Sequence, residues 1–247
     1  MVATFIDFDK DVITMNWSRS ALYHRYLTQY EIEMEYFGGQ RNHPKVAQLE
    51  STIINSFGME PDFYLHLYFT RPNSDRLEPF FSRLPQHLRE DKALLRQLFQ
   101  LDRLGEEQDR VEHCPAAFLI QYFDPQIFQD PEWMQELYDL DLQGFLGAYP
   151  PDDWFEPTVA YAPSNLAKSF QKYLSYYPDG LPDYSMLQIQ TVEDVLLMRQ
   201  VIAYCQEEDP LKNARLIEIL KNAIQVAIFD YDLPIKKKYH VKRRKKL

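Results

Sequence analysis

Apolar residues recur at steps of three and four along most of this chain, which is the spacing of one face of an α-helix. Gly is scarce, with 7 residues among 247, while Pro is plentiful, with 16. Phosphate-binding loops and tight βα turns need residues that tolerate positive φ, and this chain has few of them. The sequence therefore predicts a mainly α fold, an irregular multi-helix bundle of about nine helices with at most a minor two- or three-strand element.

Several predicted helices have clear start and stop signals. Pro44 lies in the first turn of a helix that Gly58 ends, and Asp130-Pro131 places an N-cap Asp before a Pro at the first helical position. Thr191 and Asp194 have the spacing of a capping box, with Asp in place of the usual Glu. These local signals predict where helices begin and end.

The first long helix is predicted to begin at Asn16 or Ser18 and to end at Gly38-Gly39. Its apolar residues at steps of three and four predict one buried stripe, formed by Leu22, Tyr26, Tyr30, Met34 and Phe37.

Residues 62–70 are ambiguous between a strand and a helix. Apolar positions alternate here with Tyr64, His66 and Tyr68, which is the period of a half-buried strand. Such a strand needs partners, and residues 2–6 and 186–190 are the candidates. A continuous apolar helix is the alternative.

Regular structure is least expected over residues 147–163, which are rich in Pro. This stretch is the predicted sub-boundary within an acidic helical body, residues 1–235. It also contains four aromatic residues, Tyr149, Trp154, Phe155 and Tyr161. They either fill a gap between helical layers or bind a partner, because Trp and Tyr are enriched at interface hot spots.

Charge is strongly polarised along the chain. There are 27 Lys and Arg against 37 Asp and Glu, a net charge of −10, and eight of the basic residues lie in the last twelve. Residues 1–235 therefore hold 19 basic against 37 acidic residues, a net charge of −18, and residues 236–247 carry +8. So dense a run of positive charge cannot be buried, and we expect a disordered basic tail.

The basic tail is predicted to bind an anionic partner or to screen the acidic body of its own chain. Nucleic acid or another polyanion would bind through the tail only, because the acidic body would repel it. In a eukaryotic cell the tail would also resemble a nuclear-import signal. The candidate partner-binding residues of the tail are Lys236, Lys237, Lys238, Lys242, Arg243, Arg244, Lys245 and Lys246.

The remaining compositional signals indicate an intracellular, soluble chain. Cys114 and Cys205 lie far apart without a Cys-x-x-Cys partner, which favours two buried thiols over one disulfide. No signal segment begins the sequence and no apolar run is long enough to span a bilayer. We expect a cytoplasmic location, or a nuclear one in a eukaryotic cell.

An Asp-x-Asp motif follows the apolar residues at the start of the chain. Asp7 and Asp9 resemble the first motif of haloacid-dehalogenase-like phosphatases, a resemblance that covers about ten residues. It implies a nucleophile at Asp7, a general acid/base at Asp9 and a magnesium ion between them. The motif departs from the family at Lys10, where Gly is usual, and at Asp11, where Thr is usual.

Arg19 and His24 approach the Arg-x4-His signature of HEPN-type ribonucleases. The resemblance implies a helical dimer that cuts RNA without a metal ion, with Arg19 and His24 as the catalytic residues. In that family the motif usually lies late in the domain, whereas here it opens the first helix.

The combined pattern favours a non-catalytic interaction or regulatory protein, such as an adaptor, an assembly subunit or an inhibitor-type binder. Its acidic, aromatic-rich body would bind another protein, without a cofactor or a metal ion. An enzyme is the competing class, with the HEPN-like ribonuclease as the first alternative.

Overall fold

A computed structural model describes residues 3–5, 13–15, 17–106, 114–148, 162–177 and 189–234. Contacts divide the chain into two compact units, one of residues 1–146 with 151–160 and the other of residues 147–150 with 161–247. The fold is mainly helical, as predicted. The described part contains eleven α-helices, of which two are single turns of four residues, and two 3-10 helices.

The first unit begins with a short antiparallel hairpin, in which Ala3 pairs with Met15 and Phe5 with Ile13. Its elements are β1 (Ala3–Phe5), β2 (Ile13–Met15), α1 (Trp17–Tyr36), α2 (Pro44–Phe57), α3 (Pro61–Thr70), α4 (Ser74–Phe81), α5 (Gln86–Arg89) and α6 (Lys92–Glu106). A first 3-10 helix (Ala116–Tyr122), a second 3-10 helix (Pro125–Gln129), α7 (Pro131–Leu140) and α8 (Phe145–Ala148) follow, the last of these at the boundary.

The second unit packs three helices around one apolar core. They are α9 (Pro163–Tyr176), α10 (Val192–Glu208) and α11 (Ala214–Asp230). Each contributes to the buried cluster, with Phe170 from α9, Val201 from α10 and Leu220 from α11.

The local helix signals are confirmed where the structure describes them. Helix α2 begins at Pro44 and is capped by Gly58. The Asp130 side chain accepts hydrogen bonds from the backbone N–H groups of Glu132 and Trp133. Thr191 and Asp194 form both bonds of the capping box. These signals are reliable because each of these hydrogen bonds joins residues no more than four positions apart.

Residues 62–70 form a helix, so their pairing as a strand with residues 2–6 is wrong. Residues 3–5 pair with 13–15 instead, and residues 186–188 lie outside the described residues. Helix α3 is buried over six consecutive positions, Phe63 to Tyr68. A helix that is buried on all sides has no polar face, so its sequence lacks the period that would identify it.

The predicted stripe of α1 is also partly wrong. Tyr23, Leu27 and Tyr30 are its buried apolar residues, whereas Leu22 is exposed. Helices α2 and α3 both pack on α1, and their positions select a face offset by one residue from the predicted one.

No helix in the described ranges is both long and apolar enough to cross a membrane. The basic tail, with its predicted disorder, lies outside those ranges, as do residues 149–161. The boundary placed near 147–163 stays a prediction.

Candidate functional site

A cavity of about 380 Å³ opens between α4 and the first 3-10 helix of the first unit. Its floor is apolar, formed by the buried side chains of Leu77, Cys114 and Leu119. Phe118 and Tyr122 are half-buried and form aromatic walls. The rim is polar and exposed, and its residues are Ser74, Asp75, Glu78 and Gln121. An apolar interior with a few polar groups at the opening is typical of ligand-binding pockets.

The wall that faces α4 is positioned by hydrogen bonds at the start of the 3-10 helix. The Cys114 backbone N–H donates to the Pro72 carbonyl over 2.6 Å. The Tyr68 hydroxyl lies 2.9 Å from the Cys114 carbonyl oxygen and 3.0 Å from Asp102 Oδ1. Asp102 Oδ2 accepts from the Ala116 N–H over 3.0 Å. Helices α3 and α6 therefore hold this segment in place.

The rim carries negative charge. Asp75 and Glu78 are three residues apart on α4, so both face the same side of that helix. The Arg41 guanidinium lies 2.5 Å from Glu78 Oε2. Asp75 has no ion-pair partner among the residues that the structure describes. Among the described residues that line the cavity, none is Lys or Arg.

The thiol and the phenol of the cavity both keep their protons at neutral pH. Burial, with a smaller contribution from Asp102, raises the pKa of Cys114 to about 12. Burial also raises the pKa of Tyr122, and the negative charges of Glu78 and of ionised Cys114 add to the shift. A neutral thiol is a poor nucleophile. The lining therefore suits binding better than covalent catalysis.

We expect both cysteines to resist alkylation in the folded protein. Cys114 and Cys205 are free and buried, and burial raises the pKa of Cys205 as well. At pH 7.5 Cys114 in the folded chain should react with a thiol reagent at least about a thousandfold more slowly than in urea, and Cys205 should also react more slowly than in urea. Ellman's reagent should titrate two thiols in urea. A titre of zero would instead indicate a disulfide.

The structure places Arg19 and His24 in different surroundings. Arg19 forms a 2.6 Å ion pair with Glu60 and lies 5.8 Å from the ring centre of Phe57. His24 is exposed, and its ring is perpendicular to that of buried His66, 6.4 Å away. Within one chain they do not form a common site, because five positions along α1 turn them to different sides. The ribonuclease alternative stays a prediction.

The other candidate site residues lie outside the described part of the chain. They are Tyr149, Trp154, Phe155 and Tyr161, the basic residues of the tail between Lys236 and Lys246, and the acidic residues Asp7, Asp9 and Asp11. Within the described part, no group of three or more His, Cys, Asp or Glu residues could hold a metal ion.

Sequence reasoning missed the buried polar residues of the first unit. Glu50 lies on the buried face of α2, between Val46 and Ile53, and only 3% of it is exposed. His66 is also 3% exposed, and its Nδ1 lies 2.9 Å from the Ser20 hydroxyl. The sequence could have identified Glu50, because it occupies a core-facing position of the α2 pattern. A carboxylate at such a position must have charged or hydrogen-bonding partners when it is buried.

No protein-family model, no curated protein and no solved structure matches this chain. The chemistry of the cavity and the charge of the chain are therefore the basis for a functional proposal.

Proposed function

We propose that this chain is a non-catalytic interaction protein whose acidic body binds a basic region of another protein. The observation that supports the proposal is the cavity of the first unit, which combines an apolar floor with a carboxylate rim and has no Lys or Arg among its described lining residues. Charge complementarity at such a surface speeds association and selects the partner. The surrounding body, with its net charge of −18, would attract the same partner at longer range.

The basic tail would serve a separate purpose, the contact with a polyanion. Its eight positive charges lie within twelve residues, and the body would repel nucleic acid. Any contact of the chain with phosphates should therefore be confined to residues 236–247.

Two binding experiments with the full-length chain test these assignments. An immobilised basic protein should retain the chain at low salt and release it as salt is raised, and replacing the eight basic tail residues by Gln should not weaken the retention. Equal retention on an acidic protein of similar size would contradict the proposal.

The Gln-substituted tail should abolish binding to a DNA duplex. With the native tail, the logarithm of affinity should fall with the logarithm of salt concentration with a slope near −0.9 per phosphate contact, or about −7 for eight contacts. Fluorescence anisotropy across a salt series measures that slope. Binding that survives the substitution would move the polyanion site to the body.

A further inference from the structure

We propose that the cavity between α4 and the first 3-10 helix binds a short peptide segment in which one large apolar side chain is flanked by Lys or Arg. The inference rests on the proposed function, since it specifies which part of a basic partner the acidic body recognises. It assigns the apolar side chain to the floor and the flanking cations to the rim.

The size and lining of the cavity favour one inserted side chain. A volume of about 380 Å³ lies near the lower end of the usual range for ligand sites, roughly 300–1,000 Å³. It would hold a single aromatic or branched side chain rather than a whole helix. Leu77 and Leu119 are almost fully buried at the floor, so the half-buried rings of Phe118 and Tyr122 provide most of the apolar surface that an inserted side chain would cover.

The walls favour an aromatic or aliphatic anchor with a cationic neighbour. The Phe118 ring is held by an edge contact with Phe145, 5.7 Å between ring centres, and the Tyr122 ring lies 6.0 Å from that of buried Phe81. Fixed rings lose little entropy when a ligand packs on them. Their faces also attract Lys and Arg side chains.

The rim selects for positive charge next to the anchor, on the side of α4. Asp75 is exposed, belongs to the rim and has no ion-pair partner among the described residues. Glu78 lies one turn further along α4 and already contacts Arg41 through Oε2. A basic residue of the peptide would pair with Asp75, while an acidic peptide would meet like charge.

The hydrogen-bonding groups at the opening suit a peptide backbone. The Tyr122 hydroxyl keeps its proton, since its pKa is raised, and can donate to a peptide carbonyl. Ser74 and Gln121 are exposed at the rim and offer both donors and acceptors. A small organic cation would use the carboxylates alone and leave these groups to water.

The test measures binding of a fluorescein-labelled pentapeptide, Lys-Arg-Phe-Arg-Lys, to the full-length chain by fluorescence anisotropy at 150 mM salt. Replacing the central Phe by Ser removes the anchor, and replacing the four basic residues by Gln removes the charge. Each change should weaken binding at least about fivefold. Equal binding of the Phe and Ser peptides would overturn the proposal, because it would show attraction by charge alone.

Two variants of the chain locate the peptide. Asp75→Lys reverses the charge of the rim, and Ser74→Trp fills the opening from an exposed position. Both should raise Kd at least about tenfold. The matched control is Glu218→Lys, which makes the same charge change at an exposed residue of α11 that does not line the cavity, and it should change Kd less than about twofold. Equal effects of Asp75→Lys and Glu218→Lys would overturn the proposal.

A third variant shows whether the cavity is filled by the chain's own tail or by a partner protein. It is the chain with Gln in place of the eight basic tail residues. If the native tail already fills the cavity, this variant should bind the pentapeptide at least about tenfold more tightly, which would overturn assignment to a partner protein. Unchanged affinity supports that assignment. If the chain binds the pentapeptide but no basic protein retains the chain, the proposed function is wrong and the cavity site stands. If a basic protein retains the Ser74→Trp variant as well as the parent, the cavity site is wrong and the proposed function stands.

Discussion

Lowering the pH from 7 to 4 is expected to destabilise the first unit by about 3 kcal/mol through His66 alone. The pKa of His66 is lowered from 6.5 to about 4, mainly by burial. Arg71 and His24 add to the shift, because their positive charges would repel a protonated His66 ring. As the pH falls, His66 is therefore protonated near pH 6.5 in the unfolded chain but only near pH 4 in the folded chain. Each pKa unit is worth about 1.4 kcal/mol, so the loss begins below pH 6.5 and is complete near pH 4.

The surroundings of His66 explain why it stays neutral. Its Nδ1 lies 2.9 Å from the Ser20 hydroxyl on α1, and its Nε2 is buried without a hydrogen-bond partner among the described residues. A protonated ring would need an acceptor at Nε2, because both ring nitrogens then carry hydrogen. No carboxylate is among the charges that shift the pKa of His66.

Urea denaturation followed by tryptophan fluorescence measures this effect at pH 7, 5.5 and 4.5. The parent should lose about 1.4 kcal/mol by pH 5.5 from His66. His66→Gln should be less stable at pH 7 and lack this part of the pH dependence, while His24→Gln should retain most of it, because His24 is exposed and is the smallest cause of the shift. The idea fails if His66→Gln and the parent lose stability equally between pH 7 and 5.5.

Replacing Glu50 by Ala is expected to cost about 3 kcal/mol of unfolding free energy. The Glu50 carboxylate is buried, and the Tyr30 hydroxyl donates to Oε2 over 3.0 Å. Arg83 lies 2.9 Å from Oε1, and Arg41 lies 3.5 Å from Oε2. These contacts tie α1 and α2 to the segments before α2 and after α4. The variant leaves a buried tyrosine hydroxyl without its acceptor and opens a space in the core.

Glu78→Ala is the matched control for this prediction, because Glu78 contacts the same Arg41 but is 49% exposed. It should cost less than about 1 kcal/mol, as exposed ion pairs usually do. Glu50→Gln, which keeps the shape of the side chain and an acceptor for Tyr30, should lie between the two. Chemical denaturation at pH 7 gives all three values, and similar losses for Glu50→Ala and Glu78→Ala would show that the network is not structural.

The cavity could not have been predicted from the sequence, although its residues are ordinary. Helix α4 and the first 3-10 helix are separated along the chain by α5, α6 and undescribed residues. They meet because Tyr68, Pro72 and Asp102 bond the segment around Cys114. Each of these contacts joins residues more than ten positions apart, and local patterns carry no information about such pairs.

The sequence by itself determined the helical class and several helix boundaries. The helical class follows from the scarcity of glycine and the apolar spacing of three and four. The boundaries at Pro44, Asp130 and Thr191 depend on neighbours within about one helical turn. Tertiary structure alone decided that α3 is a helix and which face of α1 is buried. It also decided that Glu50 and His66 enter the core. The physical reason is that burial depends on which distant elements pack together, and their packing overrides local preference wherever a segment is apolar on every side.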